Sequence, residues 1–254
     1  MRTPTLIAPP SLIAGNWKMN GLAASLAEAK TLADMFTDTP VGVRVALCPP
    51  ATLLAQMAWA LKGSDIGVGG QDCHAEALGA FTGDISAEML KDAGARYVIV
   101  GHSERRAGHG ESDAIVAAKA AAAVRAGLEP IVCVGETLEE RQAGRAAEIV
   151  QGQVRGSLPK ALEGHAFAVA YEPVWAIGTG LTPTLEDIAA MHRAIRADII
   201  GAFAAAGRIV PILYGGSVKP ANAREILSVT DVNGALVGGA SLKGADFIEI
   251  VRAG

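Results

Sequence analysis

The sequence FAVAYEPVWAIGTG at residues 167–180 contains the strand and loop pattern from which the fold can be predicted. The first four residues are apolar and predict a buried β-strand, and Glu172 stands where that strand stops. Pro173 ends the strand because proline lacks a backbone N–H and fixes its own φ. An apolar loop follows, bounded by Pro173 and by Gly178 and Gly180. Such a loop can close over a site and exclude water, which would make the Glu172 carboxylate a stronger base.

Short apolar runs of the same kind recur along the chain. Eight are predicted as strands, at residues 12–14, 43–47, 65–68, 97–100, 130–134, 167–170, 209–213 and 235–237. The segments between them have the periodicity of amphipathic helices. One predicted helical face carries Leu22, Leu26, Ala29, Ala33 and Phe36. Another carries Ile188, Met191, Ile195 and Ile199, after Thr184 and Asp187 in the spacing of a capping box.

This alternation predicts eight parallel βα units. Eight units in 254 residues fit a (β/α)8 barrel, which takes about 250 residues. The main alternative is an open doubly wound sheet, which usually carries a G-x-G-x-x-G after its first strand; this sequence has none there. No linker or repeat interrupts the pattern, so we expect a single domain over residues 1–254, with residues 1–10 as a proline-containing N-terminal extension.

The composition argues against several classes of protein. A net charge of −4 argues against nucleic acid as a partner. No run of about 18 apolar residues is present, so we expect no membrane span. Cys48, Cys73 and Cys133 are an odd number without a C-x-x-C pair, which fits a reducing compartment. Residues 1–10 lack the pattern of a signal peptide, and we expect a cytoplasmic protein.

Polar residues and glycines follow five of the predicted strands at the points where those strands end. In a (β/α)8 barrel the carboxyl ends of all strands meet at one mouth, where the chemistry takes place. The residues so placed are Asn16, Lys18, His102, Glu104, Glu172, Gly215, Gly216, Ser217, Gly238 and Gly239. Several strands therefore bring functional groups to a single mouth.

Two Gly-Gly turns after the seventh and eighth strands indicate an anion site. Gly215-Gly216 and Gly238-Gly239 let backbone N–H groups approach a ligand closely. A helix that begins after the eighth strand would add the positive end of its dipole. Either glycine pair alone could be no more than a tight turn. Both pairs together, at the place where this fold often binds phosphate, favour a phosphate site.

The other side chains at this mouth suit acid–base chemistry. His102 precedes a predicted helix whose dipole disfavours a protonated ring, so we expect a neutral imidazole that can donate a hydrogen bond to a carbonyl oxygen. Lys18 could neutralise an anionic substrate, and Glu104 could orient Lys18 across the mouth. Neither the Cys nor the His spacing offers a metal site. With Glu172 as the base, the set indicates proton abstraction next to a carbonyl of a small phosphorylated compound, through an enediolate.

Five motifs resemble those of the triosephosphate isomerase family in order and spacing. They are NWKMN at 16–20, GHSERR at 101–106, AYEPVWAIGTG at 170–180, YGGSV at 214–218 and LVGGAS at 236–241. The likeness runs from about Leu12 to Ile250 and implies the TIM-barrel fold. His109 is a departure, since the family often has an aromatic residue there, and we expect it to affect local packing rather than chemistry.

The resemblance implies a role for each site residue. Glu172 would be the base that shuttles a proton between two carbons, and His102 the neutral electrophile that polarises the carbonyl. Asn16 and Lys18 would hold the substrate and its oxyanion, with Glu104 supporting Lys18. Backbone groups would bind the phosphate at Gly178, Ser217, Gly238 and Gly239. Residues 173–179 would form the lid that keeps the enediolate from expelling its phosphate.

The implied reaction interconverts dihydroxyacetone phosphate and glyceraldehyde 3-phosphate, without cofactor or metal. Two alternatives stay open. The first is a barrel that binds a phosphorylated metabolite without turning it over, and the set of Glu172, His102 and Lys18 argues against it because phosphate binding needs no base. The second is an isomerase or lyase that acts on a larger sugar phosphate, and the short apolar lid favours a three-carbon substrate instead.

One connection is too long for an ordinary strand-to-helix loop and too apolar for a solvated one. Residues 71–84 include Ala77, Leu78, Ala80 and Phe81. These side chains could pack on their own barrel, but we favour docking on a second subunit. The resemblance agrees, because family members are usually homodimers in which the loop around Thr82 reaches toward the neighbour's active site.

Overall fold

The computed structural model describes residues 9–36, 42–177 and 181–254. Within them eight parallel strands form a closed barrel in chain order, and the last strand pairs with the first. The strands are β1 (Ser11–Asn16), β2 (Val43–Cys48), β3 (Ile66–Gly70), β4 (Tyr97–Val100), β5 (Glu129–Val134), β6 (Ala168–Tyr171), β7 (Ile212–Tyr214) and β8 (Gly234–Val237). The predicted (β/α)8 barrel is confirmed.

Helices return the chain from the carboxyl end of one strand to the start of the next. They are α1 (Leu26–Phe36), α2 (Ala51–Ala60), α3 (Ala87–Asp92), α4 (Ser103–His109), α5 (Asp113–Arg125), α6 (Leu138–Gln142), α7 (Ala146–Ser157), α8 (Leu185–Phe203), α9 (Pro220–Leu227) and α10 (Gly244–Val251). Short 3-10 helices lie at Ala23–Ser25, Lys160–Leu162, Val174–Ala176, Ala204–Ile209 and Gly239–Ser241. In the described ranges no helix is both long and apolar enough to cross a membrane.

Successive side chains of a strand point to opposite faces of the sheet. In β1, Leu12 and Ala14 belong to the cluster that fills the barrel, whereas Ile13 belongs to the layer between sheet and helices. Both faces are therefore buried, and a parallel strand buried on both faces reads as a continuous apolar run. This explains why the strands were recognisable as unbroken apolar segments.

The predicted face of α8 is buried as expected, whereas on α1 Ala29 is buried and Leu26, Ala33 and Phe36 are partly buried against the core. Ile188, Met191, Ile195 and Ile199 are buried on α8, which begins with the predicted Thr184–Asp187 capping box. Leu22 was assigned wrongly, because it is 79% exposed. It precedes the 3-10 turn Ala23–Ser25 in an extended conformation, so it does not share the buried face of α1.

The seventh strand begins later than predicted. The apolar run at 209–213 predicted a strand from Ile209, but the 3-10 helix Ala204–Ile209 takes up its start and β7 spans Ile212–Tyr214. Periodicity cannot place this boundary, because alanine-rich residues before the run are compatible with either a helix or a loop. The strand end is displaced by one residue, and the carboxyl-terminal loop of β7 still faces the barrel mouth.

Arg196 of α8 anchors the segments that lead into β7 and β8. Its guanidinium donates to the carbonyl oxygens of Gly207 (2.8 Å) and Val210 (2.6 Å), and to Asn233 Oδ1 (2.8 Å) and Asp231 Oδ1 (3.1 Å). Four acceptors from two segments match the planar fork of arginine, which lysine cannot imitate. One buried side chain thus holds together the starts of the two strands whose ends carry the glycine turns.

We expect Arg196→Lys to lower the free energy of unfolding by about 3 kcal/mol, because a lysine leaves several buried acceptors without a donor. Equilibrium unfolding in urea measures the loss. The control is Arg208→Lys, at an exposed arginine in the neighbouring 3-10 helix, which should change stability by less than about 0.5 kcal/mol. Equal losses in the two variants would contradict the anchoring role.

Candidate active site

A cavity of about 370 Å³ opens at the mouth formed by the carboxyl ends of the strands. Its walls include the predicted site residues Asn16, Lys18, His102, Glu172, Ser217, Gly238 and Gly239. Glu104 does not line the cavity but contacts Lys18, and Gly178 lies outside the described residues. Residues that the sequence placed after five different strands therefore meet at one cavity.

Glu172 is held at the end of β6 by close contacts of its backbone. Its N–H donates to the carbonyl of Val134 (2.8 Å). A Cβ at Gly135 would lie 1.8 Å from the Glu172 carbonyl oxygen, and one at Gly215 would lie 2.9 Å from its Cγ. Glycine at these two positions is what allows the neighbouring strand ends to pack around a carboxylate that is only 1% exposed.

The His102 ring contacts both the backbone of α4 and the Glu172 carboxylate. Nδ1 accepts a hydrogen bond from the Glu104 N–H (3.2 Å), so it carries a lone pair rather than a proton. The ring proton then lies on Nε2, which is 2.9 Å from Glu172 Oε1. This pattern favours the neutral imidazole expected from the sequence and gives His102 one N–H donor that faces the cavity.

Opposing effects set the pKa of the Glu172 carboxyl. Burial raises this pKa, because a buried carboxylate loses hydration. Hydrogen bonds from His102 Nε2–H and from two donors of Ser103, its N–H to Oε2 (3.0 Å) and its hydroxyl to Oε1 (3.2 Å), favour the ionised form and lower the pKa of Glu172. These donors stabilise the charged form, so near neutral pH the group is a carboxylate that can accept a proton.

Lys18 is fixed in an unusual backbone conformation next to the cavity. Its φ of 53° lies in the left-handed region, which is rare for a residue with a side chain. The Lys18 N–H donates to Asn16 Oδ1 (2.9 Å), and its carbonyl accepts from Gln71 Nε2 (2.8 Å). Its ammonium donates to Glu104 Oε1 (2.5 Å). Both ends of the residue are thus held in place.

Sequence reasoning missed two residues that position the site. Gln71 holds the Lys18 carbonyl and also donates to the Cys48 carbonyl (2.8 Å). It directly follows β3, so the strand-end rule could have found it, but the segment was considered only as a docking loop. Ser103 was quoted in a motif without a role, because a hydroxyl beside a helix start gives no sequence signal for the carboxylate that it contacts.

The cavity ends in an open glycine-lined surface. A Cβ at Gly239 would meet no atom within 4 Å, and one at Gly238 would meet only Lys18 Cε, at 3.7 Å. The 3-10 helix Gly239–Ser241 starts here, and α10 follows from Gly244. Open space over glycine backbone, beside a lysine, is the arrangement that an anionic group needs to approach main-chain N–H donors.

The described part of the predicted lid, residues 173–177, is tied to a buried carboxylate. Trp175 lies in the 3-10 helix Val174–Ala176 and donates from Nε1 to Glu136 Oε1 (2.8 Å). The Tyr171 hydroxyl donates to the same oxygen (3.1 Å), and burial raises the pKa of Glu136. The root of the lid is thus anchored next to Glu172, whereas residues 178–180 lie outside the described ranges.

The described residues contain no group of three or more His, Cys, Asp or Glu side chains that could hold a metal ion. The chemistry that the visible groups can perform is acid–base chemistry. An ionised carboxylate and an N–H donor stand side by side, and a lysine faces the glycine surface. This arrangement suits removal of a proton from a carbon next to a carbonyl that the imidazole polarises.

Comparison with known proteins decides the family. The triosephosphate isomerase family model matches residues 11–254. The chain belongs to the triosephosphate isomerase family. Triosephosphate isomerases of Afipia carboxidovorans and Caulobacter vibrioides are 62% and 60% identical to it, covering 95–96% of this chain and 96–97% of theirs. The crystal structure of the isomerase from Bartonella henselae has a TM-score of 0.89 and 47% identity, covering 96% of this chain and 98% of its own.

Membership of this family accounts for the convergence of five motifs at one mouth and confirms the resemblance noted in the sequence. The family match begins at residue 11. Of the predicted extension, residues 1–10, all but the last two lie outside the described ranges. The assignment of residues 1–10 as an extension stays a prediction.

We expect Ser103→Ala to raise the pKa of Glu172 in the isomerase. The Ser103 hydroxyl donates to the ionised carboxylate, so its removal destabilises the charged form. A hydrogen bond to a charged group is worth ~1.5 kcal/mol, which corresponds to roughly one pKa unit. Carbon-13 NMR titration of the carboxyl group measures the change.

The matched control is Ser228→Ala, which removes an exposed hydroxyl that donates to the Glu225 carbonyl and should leave the titration of Glu172 unaltered. If the Ser103 variant titrates Glu172 at the wild-type pH or lower, hydrogen bonding by this hydroxyl does not help to set the pKa.

Proposed function

We propose that this chain interconverts dihydroxyacetone phosphate and D-glyceraldehyde 3-phosphate, by proton transfer through an enediolate. The observation that carries the proposal is the 2.9 Å contact between His102 Nε2 and Glu172 Oε1 at a cavity whose other end is open glycine backbone. A base and a carbonyl-polarising donor must both reach one two-carbon unit, and these atoms already lie side by side. A substrate that binds in the cavity replaces the contact between His102 Nε2 and Glu172 Oε1 with its own contacts to each of these two atoms.

In the first step Glu172 removes a proton from C1 of dihydroxyacetone phosphate. The electron pair of that C–H bond forms a C1–C2 double bond, and the C2 carbonyl π electrons move onto oxygen. His102 Nε2–H donates to this oxygen as its negative charge develops. Because the donor is placed before the reaction begins, the charge is stabilised without reorganisation of solvent.

The second step completes the isomerisation with no net gain or loss of atoms. The oxygen on C2 gains a proton, and the hydroxyl on C1 loses one, with His102 within reach as the carrier. Glu172 then returns its proton to C2, and the C1 oxygen becomes the aldehyde carbonyl. One carboxylate that accepts and then donates a proton is enough, because the carbons exchange oxidation states within a single molecule.

Lys18 and the glycine surface complete the proposed site. The Lys18 ammonium, held by Glu104, lies beside Gly238, where its charge can offset both the oxyanion and the phosphate. Asn16 supports the Lys18 turn from the end of β1. Backbone groups of Gly178, Ser217, Gly238 and Gly239 are the proposed phosphate ligands, with residues 173–179 as the lid. Closure of the lid would hold the enediolate away from water.

We also propose a cytoplasmic location, and a role in glycolysis and in the reverse direction in gluconeogenesis. All three cysteines are free and buried, and burial raises the pKa of Cys48 and Cys73 to about 12. Such thiols are unreactive packing groups that suit a reducing compartment.

We further propose that the active form is a homodimer joined through residues 71–84. Leu78 is 81% exposed and Phe81 is 42% exposed on the single chain, so the loop does not bury its apolar side chains on its own barrel. His74 stacks on Phe81 with ring centroids 4.0 Å apart, which gives the loop a defined shape. The loop begins at Gln71, which holds Lys18, so docking of the loop can stabilise the site.

We expect Glu172→Asp to lower turnover about 100-fold or more while the barrel stays folded, because the carboxylate retracts by one methylene and a 1 Å error costs about that much. A coupled assay with glyceraldehyde 3-phosphate, beside circular dichroism, measures both properties. The matched control is Glu129→Asp, a buried carboxylate paired with Arg44 at the opposite end of the barrel. A folded Glu172→Asp variant that turns over as fast as Glu129→Asp would rule out Glu172 as the base.

We expect the double substitution Leu78→Asp with Phe81→Asp to convert a dimer to a monomer, because charged groups would have to be buried in the proposed interface. Sedimentation velocity should show the mass of one chain. The control is Trp59→Asp, which changes a side chain that is equally apolar and 77% exposed but lies on α2. If the loop variant, the control and the wild type sediment identically, residues 71–84 do not form a dimer interface.

A further inference from the structure

The charges at the active-site cavity do not by themselves attract a phosphate dianion. Glu172 contributes one negative charge, and the positive charge of Lys18 is offset by its contact with Glu104. His102 is neutral by its hydrogen bonds. These groups sum to about one negative charge on a chain whose net charge is −4. A dianionic substrate that approaches these groups alone is repelled.

Among the described residues that line the cavity, Lys219 is the one cation besides Lys18. It lies in the loop between β7 and α9, two residues after Ser217, and lines the same cavity as Gly238 and Gly239. Its backbone N–H donates to Asn222 Oδ1 (2.7 Å). In the described ranges its ammonium has no carboxylate partner, in contrast to Lys18, and the side chain is exposed.

We propose that Lys219 is a capture residue, which attracts the substrate phosphate into the site and adds affinity for it there without taking part in proton transfer. This rests on the isomerase reaction on a phosphorylated triose. The Lys18 ammonium is paired with the Glu104 carboxylate, whereas Lys219 brings a charge without a carboxylate partner to the cavity that Gly238 and Gly239 also line. An uncompensated charge at a concave site raises the rate of encounter with an oppositely charged ligand.

An effect of Lys219 on substrate encounter can be distinguished by kinetic measurements from an effect on proton transfer. An exposed charge acts through solvent, so its effect is strong at low ionic strength and fades once the Debye length, about 10 Å at 0.1 M salt, becomes shorter than the distance to the ligand. The affected quantity is kcat/KM, which includes encounter, whereas kcat describes the substrate already bound. A residue that only stabilises the loop fold would show no such dependence on salt.

The experiment compares Lys219→Gln with wild type in steady-state assays with glyceraldehyde 3-phosphate, at ionic strengths adjusted with KCl because sulfate would occupy a phosphate site. At low salt we expect kcat/KM to fall by about threefold to tenfold, with kcat within about twofold of wild type. Near 0.5 M salt the difference should shrink to less than about twofold. The inhibition constant of inorganic phosphate should rise in parallel.

Two further variants make the result decisive. Lys219→Arg keeps the charge and should retain the wild-type slope of kcat/KM against ionic strength. Lys62→Gln removes an exposed lysine between α2 and β3, at the opposite mouth of the barrel, and should change neither constant. The proposal is overturned if kcat/KM of Lys219→Gln depends on salt in the same way as that of Lys62→Gln. It is also overturned if the decrease in activity of Lys219→Gln persists at high salt and is a decrease in kcat.

Discussion

The site depends on a contact between a buried carboxylate and an uncharged imidazole. Glu172 and His102 come from the ends of β6 and β4, and they meet because the barrel brings all strand ends to one mouth. The contact is useful only while the two groups stay in different states, with the proton on His102 Nε2 and none on Glu172. The Glu104 N–H donates to His102 Nδ1 and so leaves the ring proton on Nε2, and the two donors of Ser103 stabilise the ionised form of Glu172.

The fold supplies these conditions through backbone geometry. α4 begins directly after His102, so that the N–H groups of its first turn reach both the ring and the carboxylate. Glycines at 135 and 215 admit the Glu172 backbone between its neighbours. Closure of the sheet then removes the freedom of each strand end to move separately. The contacts that set the protonation of His102 and Glu172 therefore depend on the packing of the whole barrel, including the hydrogen bonds of Arg196.

Much of this arrangement could be predicted from the sequence. The eight apolar runs fixed the barrel because parallel strands are buried on both faces, and the strand-end rule then placed Asn16, Lys18, His102 and Glu172 at one mouth. What periodicity could not supply were local boundaries, such as the late start of β7 and the extended position of Leu22.

Side-chain contacts across the mouth were also beyond prediction. Gln71 reaches the Lys18 carbonyl, and the Ser103 hydroxyl reaches Glu172; both join segments that are far apart in sequence. The state of Lys219 likewise depends on which carboxylates lie within reach of its ammonium, which only the folded chain determines. The sequence thus identifies the groups that can react, whereas their protonation and pairing follow from tertiary geometry.

Nitrogen-15 NMR of the His102 ring in the free enzyme near neutral pH tests the central claim most directly. The account predicts one ring nitrogen with a bonded proton, Nε2, and one without, Nδ1, the acceptor from the Glu104 amide. Protons on both ring nitrogens would show an imidazolium paired with the carboxylate, and would contradict a mechanism built on a neutral donor beside an ionised base.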